Sequence, residues 1–225
     1  MKFSRENLTN IPLLALLSAN AIPLIGVLFF KWDVSVIVLL YWAENLAIGF
    51  YNVLKIAFVK AAHPIEHLAK LFMIPFFIVH YGGFTAVHGF FILAIFSKGE
   101  QGPPFISGEQ WPCFFVFVQM LFGIVRHILL IIPPAVRLAV LLLFVSHGVS
   151  FVYNYLIKGE YAHAKVEKLM GQPYARVFVM HITIIVGGFG LMVLGSPVAL
   201  LLVLVVLKTA IDVKLHLREH KKYLH

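Results

Sequence analysis

The sequence predicts an all-α fold, a polytopic transmembrane helical bundle of six to seven spans, and three observations carry that expectation. Of 225 residues, 61% are hydrophobic and only 12% are charged, with a mean hydropathy of +0.93. A soluble domain of this size carries about 25% charged residues, so the surface of this chain is matched to lipid. The apolar residues gather near 11–30, 34–59, 70–97, 112–133, 135–157, 176–195 and 197–216. Most of these stretches are close to the roughly 20 residues that cross a bilayer as a helix. Finally, Lys and Arg fall in short connections and at the C-terminus, the distribution of a positive-inside membrane protein.

The elements follow in order. Lys2, Arg5, the run from Ile11 to Leu17 and Ser18-Ala19-Asn20-Ala21 imitate a secretory signal peptide. The apolar stretch continues to Phe30, however, so it reads as an uncleaved first helix. The second stretch ends at the basic connection Lys55 to Lys70, from which the third departs. The connection from Ser97 to Trp111 carries Glu100 and Glu109 against one Lys98, which places it on the opposite side. The fourth and fifth stretches meet at Pro133-Pro134, and the fifth ends at a second basic connection, Lys158 to Arg176. Two ordinary crossings cannot separate an acidic loop from a basic one. One segment is therefore irregular, re-entrant or surface-lying, and Arg126 and His127 point to 112–133; the alternative is a failure of the charge rule at one loop. The last two stretches lead to a basic tail, Lys214 to His225, suited to anionic lipid headgroups. No connection is long enough to fold alone, so residues 1–225 read as one membrane domain in a lipid environment. The net charge of +8 is explained by this topology and not by nucleic acid. A single cysteine, Cys113, excludes an intramolecular disulfide framework and a cysteine-cluster metal site.

Ionisable residues inside these stretches are the candidates for chemistry. Glu44 lies eleven residues before Lys55, His80 ten after Lys70, His147 eleven before Lys158, and Lys208 ten before Arg218. If the basic residues mark one membrane face, a rise of about 1.5 Å per residue puts all four groups about 15 Å inside it. That is near the centre of a hydrocarbon core about 30 Å thick, where ionisable groups are costly and face an interior or a cavity. His181, five residues inside Arg176, and Asp212, six before Arg218, form a shallower layer, and His88 shares a face of the third helix with His80. Imidazoles and carboxylates without thiolates are the ligand set of zinc or non-haem iron. Glu44, His80, His88, His147, His181 and Asp212 are accordingly the expected ligands of a divalent metal, one or two ions, with Lys208 balancing charge or carrying a proton. Each residue also has an ordinary account. A single membrane histidine often donates to a backbone carbonyl, Glu44 and Lys208 suit a plain ion pair, and His63 and His67 suit a solvated helix start.

The strings Tyr41-Trp-Ala-Glu-Asn45 with Asn52 and Lys55, His80-Tyr-Gly-Gly-Phe84 with His88, Ser146-His147 with Asn154, Pro173-Tyr174 with Arg176 and His181, and Lys208 with Asp212 and His216 together resemble a family of uncharacterised bacterial multi-pass membrane proteins, grouped as a domain of unknown function. The resemblance runs from about residue 35 to 220 and implies a bacterial inner-membrane location but no activity. A looser similarity, resting on architecture alone, is to seven-helix membrane hydrolases that hold zinc. The expected function is a membrane-embedded metalloprotein, an enzyme acting on a lipid or apolar substrate by zinc hydrolysis or iron oxidation. The alternatives are a proton- or ion-coupled transporter using the same residues as a relay, and a structural or assembly factor.

Overall fold

The structure, a computed structural model, describes residues 22–60, 64–96 and 110–222, with 64–66 and 212–222 described as backbone only. Most of the expected first span, 11–21, lies outside the described residues. The elements are α1 (22–30), α2 (Val34–Phe58), α3 (Pro64–Phe96), α4 (Phe115–Ile131), α5 (Pro134–Ser150), a π-helical stretch Phe151–Ile157, a 3-10 turn Glu160–Ala162, α6 (Val166–Gly171), α7 (Tyr174–Leu194) and α8 (Val198–Lys222). Among the described residues there is no strand, and the fold is all-α. Among the described residues, four helices are long and apolar enough to cross a membrane: Val34–Phe58, His67–Phe96, Pro134–Ile157 and Val166–Leu194. Phe115–Ile131 and Val198–Ile211 are apolar but shorter.

The chain divides into two compact units, Val38–Val177 and Met1–Ile37 with Phe178–His225. In the second of these, α7 and α8 form an antiparallel hairpin. Gly187 lies against Leu200 and Gly190 against Ala199, close enough that a methyl group at Gly187 would stand 2.6 Å from the Leu200 backbone. Gly195, at φ +63°, ends α7 in the left-handed conformation that glycine adopts without strain, and Ser196-Pro197 starts α8. Asp33 Oδ1 accepts from the Ser35 backbone N–H at 2.8 Å, capping the start of α2.

The first unit explains the charge pattern. α3 runs antiparallel to α2, tied by Trp42 Nε1 donating to the Thr85 carbonyl (2.8 Å) and the Tyr81 hydroxyl donating to the Asn45 carbonyl (2.9 Å). Gly49 and Gly89 admit the Tyr81 and Trp42 rings, the small-residue packing that membrane helices use in place of a hydrophobic driving force. At the basic end, buried Lys70 donates to the Val59 carbonyl and closes the C-terminus of α2. α5 lies parallel to α2, with Phe50 near Phe144, Tyr51 against Gly148, and the Tyr155 hydroxyl donating to the Lys55 carbonyl at 2.7 Å.

That parallel arrangement requires α4 to add no net crossing. α4 runs alongside α3 in the same direction: Gly83 faces Phe117, Gly82 faces Leu121 and Gly89 faces Ile124. It begins level with Gly83, thirteen residues or about 20 Å short of the end of α3, and climbs to the Pro133-Pro134 turn. The segment expected to be irregular, 112–133, holds a helix about half the length of α3 that packs along it through Gly82, Gly83 and Gly89. The Lys60 N–H donates to the Tyr161 carbonyl at 3.0 Å, which sets the two basic connections side by side at one end.

The connection 158–175 corrects an expectation. It reads in the sequence as a polar loop outside the membrane, yet α6 packs inward. Val166, Leu169 and Val177 join Ile56, Phe77, Tyr81, Phe151 and Tyr155 in a buried cluster. Asn52, three residues inside Lys55, donates from Nδ2 to the Leu169 carbonyl at 2.9 Å and is itself buried. Asn52→Leu leaves that carbonyl without its donor in a dry core, a loss of about 1–3 kcal/mol, read as a lower unfolding midpoint of the detergent-purified protein.

Candidate functional site

The inward turn of α6 leads into the first turn of α7, with Arg176 close behind Pro173, and this sets the site. The Arg176 Nη1 lies 2.8 Å from the Glu44 Oε2, and the His147 Nε2 lies 3.8 Å from the Glu44 Oε1. Three helices, α2, α5 and α7, therefore meet at one carboxylate. All three side chains are partly buried, at 20% relative exposure for Glu44, 29% for His147 and 34% for Arg176. The protein has brought a charge pair away from water and set an imidazole beside it.

A second polar group flanks the first. The Tyr174 hydroxyl and the His80 Nδ1 share a hydrogen bond of 2.7 Å, and the His80 ring stacks on Phe76 and edges onto Phe84. Tyr81 packs between Phe77 and Tyr174, and its hydroxyl lies within electrostatic reach of Arg176, Tyr41, Tyr174 and Glu44. Beside Glu44, Asn45 donates to the Tyr41 carbonyl at 3.2 Å, while its buried Oδ1 meets no donor among the described residues. Glu44, Asn45, Tyr81, Tyr174, His80, His147 and Arg176 thus form a continuous polar layer across four helices.

Glu44, His80 and His147 share one level along the helices, as their like spacings from the basic connections imply. The expected ligands fare differently in azimuth. Glu44 and His147 converge. His80 turns to Tyr174 and an aromatic face. His88 is buried on α3, seven residues or about 10 Å beyond Tyr81 along the helix axis. His181 is exposed on α7 and Lys208 half-buried on α8, both in the other unit, and the Asp212 side chain lies outside the described residues. Among the described residues, no three His, Cys, Asp or Glu side chains gather as a metal centre requires. The guanidinium on Glu44 also opposes a dication at the same carboxylate.

Arg176 corrects a second expectation. In the sequence it marks the membrane face, but its head reaches a carboxylate eleven residues inside Lys55. The signal for this was present. Val166, Leu169, Met170 and Pro173 carry apolar character ten residues upstream of Arg176, so that it falls within Val166–Leu194, one of the long apolar spans. Tyr174, the partner of His80, is missed for the same reason.

Neither a curated protein nor a solved structure matches the chain. The model of one protein family does match, over residues 2–225, which is nearly the whole sequence and takes in every helix and every residue of the polar layer. The chain belongs to DUF6498, a family of unknown function.

Proposed function

We propose that this chain is a proton-coupled carrier of the bacterial inner membrane, with its basic connections facing the cytoplasm and Glu44 as its proton-binding residue. The observation that supports this reading is the shared carboxylate: Glu44 pairs with a fixed cation, Arg176, at 2.8 Å on one oxygen and faces a titratable imidazole, His147, at 3.8 Å on the other. When the imidazolium of His147 passes its proton to Glu44, the carboxylate becomes neutral, the imidazole becomes neutral, and Arg176 keeps its charge. Protonation thus releases Arg176 from its partner, so that proton occupancy changes the electrostatic tie between α2 and α7. Tyr174 and His80 extend the polar layer along α3 and supply further hydrogen-bonding groups at the same level.

The test is proton flux into liposomes holding the purified protein and a pH-sensitive dye, under an imposed membrane potential. Wild type is expected to acidify the lumen, and Glu44→Gln is expected to lose at least nine-tenths of that rate. Folded wild type without flux would overturn the reading.

The approach of Glu44 to His147 also favours a second reading, in which these two are part of the ligand set of zinc or iron in an enzyme acting on a lipid. Elemental analysis of protein purified without chelator separates the two. One or two equivalents of metal, lost in both Glu44→Ala and His147→Ala, support the enzyme. Metal-free protein with proton flux supports the carrier. Absence of both, with Glu44→Ala unfolded, leaves the polar layer as a structural device.

A further inference from the structure

Separate from the ion pair, a cavity of about 620 Å³ runs between α2, α3, α4 and α5. Its volume falls in the range of about 300–1,000 Å³ of small-molecule sites. Its wall along α2 extends from Leu39 to Val53, fourteen residues or about 21 Å. One leaflet of a bilayer's hydrocarbon core is about 15 Å deep, so the cavity is long enough for an extended acyl chain.

The lining is apolar except at one end. Trp42, Tyr81 and Thr85 line it, but their polar atoms are committed to hydrogen bonds within α2 and α3. Arg137 is the only charged residue among the described lining, at the turn where α4 passes into α5. Its Nε donates to the Ile132 carbonyl and its Nη2 to the Leu130 carbonyl, both at 3.0 Å, which pins the guanidinium at the mouth. Among the described residues no carboxylate pairs with it, and Arg137 is exposed. A fixed cation at the end of an apolar slot is complementary to an anion with an acyl tail.

We infer that the cavity between α2, α3, α4 and α5 is a binding site for a fatty acid, its carboxylate held by Arg137 and its chain lying along Trp42 and Phe144. The inference is independent of the proton reading, because occupancy is measured without flux.

Trp42 provides the reporter. With Trp32→Phe and Trp111→Phe, it is the only tryptophan left of three. Dibromostearate, whose bromine atoms quench indole on contact, is titrated into this protein in nanodiscs. Saturable quenching is expected, at concentrations at least tenfold lower than for the methyl ester of the same acid. Arg137→Gln is expected to remove the preference for acid over ester, and Ala43→Phe, which fills the slot, to remove saturable quenching from both. The comparison of acid with ester on otherwise native protein does not depend on the folding of either variant. Quenching that rises linearly with brominated lipid, or is equal for acid, ester and a brominated two-chain phosphatidylglycerol, would show bulk lipid in the cavity and overturn the inference.

Discussion

Glu44→Gln is expected to remove at least nine-tenths of the proposed proton flux and to lower the stability of the fold by on the order of 3 kcal/mol, the scale for removing one partner of a buried ion pair. The cost arises because Arg176, two-thirds buried at its side chain, keeps its charge and loses the opposite charge whose oxygen stands 2.8 Å away. The reverse variant, Arg176→Gln, is expected to be milder. A carboxylate left without its cation can take up a proton, whereas a guanidinium cannot release one. The double variant Glu44→Gln/Arg176→Gln removes both charges and is expected to recover most of the stability while remaining without flux. Unfolding in detergent by added denaturant, combined with flux on the same four proteins, gives both quantities. Equal stability of all four proteins would mean that the pair is solvated in the membrane and contributes little.

The second large effect is expected at Trp42→Ala, at about 3–5 kcal/mol. Trp42 is 2% exposed and is among the largest fully buried side chains. Its ring fills the space left by Gly89, against Ile124 of α4, and its indole N–H satisfies the Thr85 carbonyl. Removing the ring loosens α2, α3 and α4 together, because Gly89 provides no side chain to fill the gap. A measured loss below about 1 kcal/mol would mean that lipid or a neighbouring side chain fills the space. Gly89→Leu, which drives a side chain into Trp42 and Ile124, probes the same joint from the opposite direction and is expected to destabilise through overpacking.

Much of the fold was legible because membrane helices advertise themselves by length and apolarity, and because the charge of the connections constrains direction. Glu100, Glu109 and Lys158 point to one irregular segment between them, or to a failure of the charge rule, but not to a half-length helix. Relative height along the helices was legible too. Glu44 and His147, each eleven residues inside a basic residue, meet in space. Azimuth was not, since near-uniform apolarity erases the amphipathic stripe that orients a soluble helix. His80 therefore read as a ligand although Tyr174 and Phe76 claim its ring. Arg176 was hidden for a different reason. A basic residue next to an apolar run looks like an interfacial anchor unless the connection before it is known to fold back, and the evidence for that lies in Asn52 on a distant helix.

The half-length α4 has a consequence for how the chain is made. Its first turn sits level with the middle of α3 and needs protein beside it, because exposed backbone groups at that depth have no water to bind. The helices that shelter it on the Gly82, Gly83 and Gly89 side, α2 and α3, precede it in the chain, whereas α5 follows. Synthesis from the N-terminus thus presents a finished groove before the segment that must fill it emerges, and the last wall closes afterwards. The order of the genetic message is also a workable order of assembly.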